Sequence, residues 1–270
     1  MAGPTPDTRD PVLERPGALL SYEVHDGSTP TIVGLHGLSS SRANEAKDGY
    51  FDWSALTASG RRIVRYDARG HGRSTGRAEP ADYTWSRLAD DLLALLDVVS
   101  PDEPVDAFGV SMGTGTLLHA VTKRPERFRR LALVIPPTAW QTRAAQADTY
   151  RQMASLIEEH GTQTLLRTMA AAPTLPILAA GGWTTLTPPD IDDGIAPSVM
   201  RGSAGTDLPG AEAIAGIRQP VLLCPWTDDP AHPLSSSEQL ASLLPNATMR
   251  VTRTPDDLRT LGTHLAAFFG

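Results

Sequence analysis

A chain of 270 residues, 40% hydrophobic and 20% charged, is long enough to bury the core of one large α/β domain or of two small ones. Its net charge of −7 argues against a nucleic-acid-binding surface and against adhesion to anionic membranes. The single cysteine, Cys224, excludes an internal disulfide, no apolar run reaches the roughly 18 residues that span a bilayer, and Met1–Pro16 lacks the apolar segment of a secretory signal, so a cytoplasmic protein is expected.

Residues 1–16 read as an irregular tail. Leu19–Val24 alternates weakly and predicts an edge strand, closed by a turn at Asp26-Gly27-Ser28. Thr31–Leu35 is a short apolar run that stops at His36-Gly37-Leu38-Ser39, the pattern of a buried strand entering a loop. Tyr50–Ala58 predicts a short helix, and Arg62–Tyr66 a strand that empties into Asp67-Ala68-Arg69-Gly70-His71-Gly72-Arg73-Ser74. Over Trp85–Val99, apolar residues at Leu88, Leu92, Leu95, Leu96 and Val99 recur with a helical period. Val105–Val110 predicts another strand, followed at once by a helix over Thr116–Val121 that ends near Arg124-Pro125. Leu131–Ile135 is a buried strand stopped by Pro136-Pro137. This alternation predicts an α/β fold with a mostly parallel sheet and helices on both faces.

The rhythm then breaks. Residues 138–216 are Ala-rich and helical as far as Ala172, then loose and rich in Gly, Pro and Asp. That is too long for an ordinary loop, so 137–216 is expected to be an inserted cap, with 1–136 and 217–270 forming the core. The rhythm resumes with a strand over Val221–Trp226, a helix around Ser236–Leu244, a strand near Met249–Thr252 and a closing helix ending at Phe268-Phe269.

Between the strand ending at Val110 and the helix after it lies Gly109-Val110-Ser111-Met112-Gly113. A serine on so sharp a turn needs neighbours without a Cβ two residues away on each side, and the turn lifts its hydroxyl above the sheet. The following helix aims its N-terminus at any negative charge that develops there.

Four pieces in order, Leu35-His36-Gly37, Asp67–Ser74, Gly109–Gly113 and Asp229-Pro230-Ala231-His232-Pro233, make the chain resemble the α/β-hydrolase superfamily over residues 18–135 and 218–269. The resemblance implies an α/β-hydrolase fold, a mostly parallel central sheet flanked by helices with an inserted, largely helical cap. It implies Ser111 as nucleophile and the backbone N–H groups of Leu38 and Met112 as oxyanion hole. The acid is expected after the strand that follows the cap; a proline four residues on selects Asp229, with Asp228 the alternative. The Asp67–Ser74 loop is expected to be structural.

The superfamily places its histidine after the last strand, but the corresponding Arg253-Thr254-Pro255-Asp256-Asp257 has none. His25 and His160 are expected at the surface. His119 lies eight residues past Ser111 on one helix, about 12 Å away at 1.5 Å per residue, and His71 belongs to the structural loop. His264 falls in the closing helix, running away from the site, and His36 borders the oxyanion loop. His232, three residues after Asp229, is the best-placed imidazole, with His264 and His36 as alternatives. His36 and Trp140 are expected at the substrate pocket, with Trp183 a further aromatic beside it.

Two functions stay open. One is a serine hydrolase acting on a small to medium, largely apolar ester, thioester or lactone through an acyl-enzyme on Ser111. The other is a non-hydrolytic protein of the same fold, a lyase or cyclase using the oxyanion hole or a catalytically weak small-molecule binder, because the usual histidine is missing. No cofactor and no metal are implied: zinc-ligand spacing and a phosphate loop before a lysine are both lacking. The expected partner is a small-molecule substrate, without nucleic acid or membrane; the oligomeric state is not legible.

Overall fold

The computed structural model describes residues 10–185 and 187–270; residues 1–9 of the expected tail lie outside them. Among the described residues, strands β1 (Val12–Arg15), β2 (Ala18–His25), β3 (Ser28–Leu35), β4 (Arg61–Tyr66), β5 (Val105–Val110), β6 (Phe128–Val134), β7 (Val221–Cys224) and β8 (Ala247–Met249) form one sheet. Their order is β1-β2-β4-β3-β5-β6-β7-β8. β1 and β2 pair antiparallel, as do β2 and β4, and the pairings from β4 through β8 are parallel.

The helices are α1 (Arg42–Asp48), α2 (Ser54–Ala58), α3 (Trp85–Val99), α4 (Met112–Lys123), α5 (Arg143–His160), α6 (Thr162–Ala171), α7 (Pro176–Ala180), α8 (Ala196–Ala204), α9 (Ala211–Ala215), α10 (Leu234–Leu243), α11 (Pro255–Arg259) and α12 (Leu261–Phe269). None of those described is long and apolar enough to cross a membrane.

The central strands read as unbroken apolar runs because both faces of the sheet are covered. Val33, Leu35, Ala107, Leu131 and Leu133 point into a core shared with α3, α4 and α10. Their sequence neighbours Ile32, Phe108, Val110, Ala132 and Val134 point the other way, against α2, α11 and α12. On α3, Leu88, Leu92, Leu95 and Leu96 are at most 1% exposed; burying each side chain contributes about 1.5–3 kcal/mol.

Several boundaries differ from the sequence expectation. Val12–Arg15 is not tail but the outermost strand, so the strand over 18–25 is not the edge. It is too short and polar to signal itself, yet Arg15 ties it to Asp91 on α3 at 3.0 Å. Only Ser54–Ala58 of the expected Tyr50–Ala58 helix is helical; Phe51 instead stacks on Trp53, with ring centroids 5.4 Å apart. The last strand ends at Met249, and Thr252 joins the sheet only through a bridge to Trp226.

Residues 137–216, between β6 and β7, contain α5–α9. Ala154, Ile157, Ala196 and Met200 form a small core in which α5 packs on α8, with Leu38, Tyr150, Met153 and Ile191 against it. The stretch expected to be loose therefore holds a regular helix, because tertiary burial of Val199 and Met200 overrides a Gly- and Pro-rich composition. Leu208 and Ile214 fall inside the range assigned to the insertion but are buried in the main core.

A close backbone approach lies under the start of α4. A Cβ on Gly113 would stand 2.6 Å from the Leu35 carbonyl oxygen, and one on Gly109 would stand 2.4 Å from that of Gly113. These contacts are with backbone, which cannot swing aside. Gly113→Ala is expected to lower unfolding free energy by about 2 kcal/mol, read from the urea midpoint.

Candidate active site

Ser111 stands between the end of β5 and the first turn of α4 with φ 50° and ψ −107°. A non-glycine residue holds such angles only when its surroundings over-determine them. Here the Ser111 N–H donates to the Val134 carbonyl at 3.0 Å. The Thr114 hydroxyl donates to the Gly109 carbonyl at 2.9 Å, stapling the helix start back onto β5. The two flanking glycines supply the space, as their spacing predicts.

The Ser111 hydroxyl lies 2.7 Å from His232 Nε2, and His232 Nδ1 lies 2.6 Å from Asp229 Oδ2. With Nδ1 protonated and donating to Asp229, Nε2 presents a lone pair to the serine hydroxyl. Asp229 and His232 come from one turn after β7: the His232 N–H donates to the Asp229 carbonyl at 3.1 Å, and the Thr138 N–H donates to the Ala231 carbonyl at 3.0 Å. The second of these bonds anchors the turn to the chain leaving β6.

Asp229 is further held by the Trp226 indole N–H to Oδ2 at 2.9 Å and the Ala231 N–H to Oδ1 at 2.9 Å. Burial works to raise its pKa. The hydrogen bond and charge of His232, with those two N–H donors, outweigh burial and hold the carboxyl below the usual range. Trp226 escaped the sequence reading as the end of an apolar run; its 4% exposure and its N–H beside an acid make it a support of the site. Asp228 is exposed, at φ 64°, and makes no hydrogen bond to His232 among the described residues.

The two amides expected to form an oxyanion hole, those of Leu38 and Met112, have no hydrogen-bond partner among the described residues. Their loops meet beside Ser111, where a Cβ on Gly37 would stand 3.6 Å from the Ser111 Cβ. Met112 opens α4, so the positive end of the helix dipole faces the same spot.

Of the other histidines, His36, His71 and His119 are engaged elsewhere. His36 accepts the Ala68 N–H on Nε2 at 2.9 Å and donates from Nδ1 to the Gly37 carbonyl at 2.7 Å, so both ring nitrogens brace the loop and neither is left for a substrate. His71 donates from Nδ1 to the Arg69 carbonyl at 2.9 Å, and the Asp207 carbonyl lies 2.8 Å from His119 Nε2. His264 lies on α12 and makes no side-chain hydrogen bond among the described residues. Where the superfamily's histidine would stand, Thr254 caps α11 by accepting the Asp257 N–H at 3.2 Å. Trp140 is tied by its indole N–H to the Pro209 carbonyl at 3.1 Å, and its backbone N–H donates to the Asp207 carboxylate at 3.0 Å. It packs on the main core and makes no polar contact with Ser111, Asp229 or His232. Trp183 meets Tyr50 edge-on at 6.3 Å; Tyr50 lies 6.5 Å from Trp226, which lies 6.1 Å from His232. Among the described residues, no group of three or more His, Cys, Asp or Glu side chains is arranged to hold a metal.

A profile of the alpha/beta hydrolase fold matches residues 30–256, and the chain belongs to that family. Among solved structures, it superposes on the non-heme bromoperoxidase BpoC of Mycobacterium tuberculosis H37Rv, described as putative, with a TM-score of 0.76 at 19% identity, over 97% of this chain and 98% of that one. It superposes on the enol-lactonase of Burkholderia xenovorans LB400 with a TM-score of 0.70 at 22% identity, over 96% of this chain and 98% of that one. In sequence, it is 33% identical over 108 residues to the probable oxidoreductase EphD of Mycobacterium tuberculosis H37Rv; the match takes in 38% of this chain and only 17% of that longer protein.

His36 and His71, their rings 5.3 Å apart, are both buried. Burial first, and then the neighbouring His36, push the His71 pKa from 6.5 down to about 3. Its Nε2 has no partner among the described residues, so a proton there would be a buried, unpaired donor. The unfolded chain takes this proton near 6.5 and the folded chain does not, so stability is full above 6.5 and is lost as the pH falls below it. The slope expected from such a histidine is about 1.4 kcal/mol per pH unit. His71→Asn, whose amide can still donate to the Arg69 carbonyl, is expected to flatten the loss between pH 6.5 and 5 in urea unfolding.

Proposed function

We propose that the chain is a serine hydrolase acting on a small to medium, largely apolar ester, thioester or lactone. The observation that carries this reading is the continuous hydrogen-bonded path from Ser111 through His232 to Asp229, at 2.7 and 2.6 Å. In this reading His232 Nε2 takes the Ser111 proton as Oγ bonds to the substrate carbonyl carbon, and Asp229 stabilises the imidazolium that forms. The tetrahedral oxyanion accepts hydrogen bonds from the Leu38 and Met112 N–H groups, both free of partners among the described residues. The imidazolium then gives its proton to the leaving oxygen or sulfur as the carbonyl re-forms, leaving an acyl ester on Ser111. Water, deprotonated by His232, attacks that ester; its collapse releases the acid and returns the proton to Ser111.

We place the substrate between the core and helices α5–α8, which serve as the cap. Leu38, Tyr150, Met153 and Ile191 supply apolar surface on one side. Tyr50, Trp183 and Trp226 supply aromatic surface on the other. These surfaces favour an uncharged, apolar substrate, and the likeness to an enol-lactonase keeps lactones within the class. The mechanism uses no metal or cofactor, and we assign it to the cytoplasm. The non-hydrolytic reading drew its weight from the missing histidine after β8. The bond between Ser111 and His232 favours the hydrolytic one.

Steady-state hydrolysis of p-nitrophenyl butyrate tests the assignment. Ser111→Ala and His232→Ala are each expected to lose at least about a thousandfold in kcat. His264→Ala is expected to stay within about twofold of the parent, because that side chain touches none of the reacting groups. A folded Ser111→Ala variant that keeps the parent's kcat overturns the proposal.

A further inference from the structure

The oxyanion loop is held from outside the core. Ser39, next to the Leu38 amide, sits at φ 61°, a left-handed conformation that a non-glycine residue keeps only under restraint. The restraint comes from Asp190, 151 positions along the chain and within the stretch between β6 and β7. The Asp190 N–H donates to the Ser39 carbonyl at 2.9 Å, and its carboxylate accepts the Ser41 hydroxyl at 2.6 Å. The Ser41 oxygen in turn accepts the Asn44 N–H at 3.0 Å, capping α1, while Asn44 Nδ2 donates to the Pro188 carbonyl at 2.8 Å.

On its far side, the Asp190 carbonyl accepts the Gly72 N–H at 2.9 Å, and Ile191 bridges to His71. Gly72, at φ 54°, has to be glycine for this: a Cβ there would meet Ser41 Cβ at 2.9 Å and an Asp67 carboxylate oxygen at 2.6 Å. Residues 188–191 thus lie across the oxyanion loop and the Asp67–Ser74 loop and bond both. His36 braces the same loop from below through Ala68.

We propose that Asp190 is a positioning residue for the oxyanion hole, fixing Leu38–Ser41 so that the Leu38 N–H faces the carbonyl oxygen of the substrate. This rests on the serine-hydrolase reading above. It makes the same inserted stretch that covers the substrate set the geometry of charge stabilisation. The Leu38 N–H meets a developing oxyanion more strongly than a neutral carbonyl, so loosening it weakens the transition state more than the bound substrate.

The test compares Asp190→Ala and Asp190→Asn with the parent and with Ser111→Ala, using p-nitrophenyl butyrate kinetics and thermal unfolding. Asp190→Ala is expected to lower kcat about tenfold, as for partial loss of one oxyanion donor, with KM within about twofold. Asp190→Asn keeps an oxygen that accepts the Ser41 hydroxyl and is expected to recover kcat to within about threefold of the parent. An unchanged kcat in Asp190→Ala, a change in KM alone, or an Asp190→Asn variant as slow as Asp190→Ala while equally folded overturns the proposal. Should Asp190→Ala not fold, Asp190→Asn and Ser41→Val decide together: parent-like kcat in Asp190→Asn with Ser41→Val slowed about tenfold supports it, and any other pairing of the two overturns it. A Ser111→Ala variant with full activity is a different failure, that of the serine reading itself.

Discussion

The imidazole of His232 must reach two partners at once, Ser111 Oγ at 2.7 Å and Asp229 Oδ2 at 2.6 Å, and both distances hang on one turn of chain. Asp229 and His232 stand three residues apart, so the turn that brings the His232 N–H onto the Asp229 carbonyl also lays their side chains together. The Trp226 indole fixes the carboxylate, and Thr138 fixes the turn. The imidazole beside Ser111 thus comes from the turn after β7 and not from the segment after β8. The segment after β8 is free to form the capped helix α11.

What the turn reaches for is set by the sheet. β3, β5 and β7 run parallel and deliver the His36–Leu38 loop, Ser111 and Asp229 to one edge. The chain reverses its direction of travel across the sheet between β3 and β5, the place where open α/β sheets leave a crevice. Gly109 and Gly113 allow α4 to start within van der Waals reach of Leu35, with the Met112 amide, unpartnered among the described residues, in its first turn. The strap at 188–191 completes the arrangement by holding the left-handed Ser39 in place.

The parts that were legible in the sequence are those ruled by local sterics or strong patterning. The elbow could be read because only glycine fits at 109 and 113, and the central strands because burial on both faces makes them unbroken apolar runs. Asp229 was selected by the proline after it. His232 could be named from its nearness to Asp229, but its approach to Ser111, 121 positions away, exists only in the folded sheet. Other features carry no local signal. β1 is four residues long and half-exposed; α8 is helical because Val199 and Met200 are buried, against its composition. Trp226 looked like the end of a strand. Asp190 looked like one acid among several in a loose Asp-rich stretch, because its partners, Ser39, Ser41 and Gly72, lie more than a hundred positions earlier in the chain.

The proposed chemistry requires Ser111 to be a nucleophile activated by His232. Labelling with a fluorophosphonate, read by intact mass and by mapping of the modified peptide, addresses that directly, since the reagent bonds only to an activated serine. One adduct, on Ser111, is expected, with a labelling rate at least about a hundredfold lower in folded His232→Ala. A folded chain that takes no label, or a His232→Ala variant that labels as fast as the parent, would contradict it.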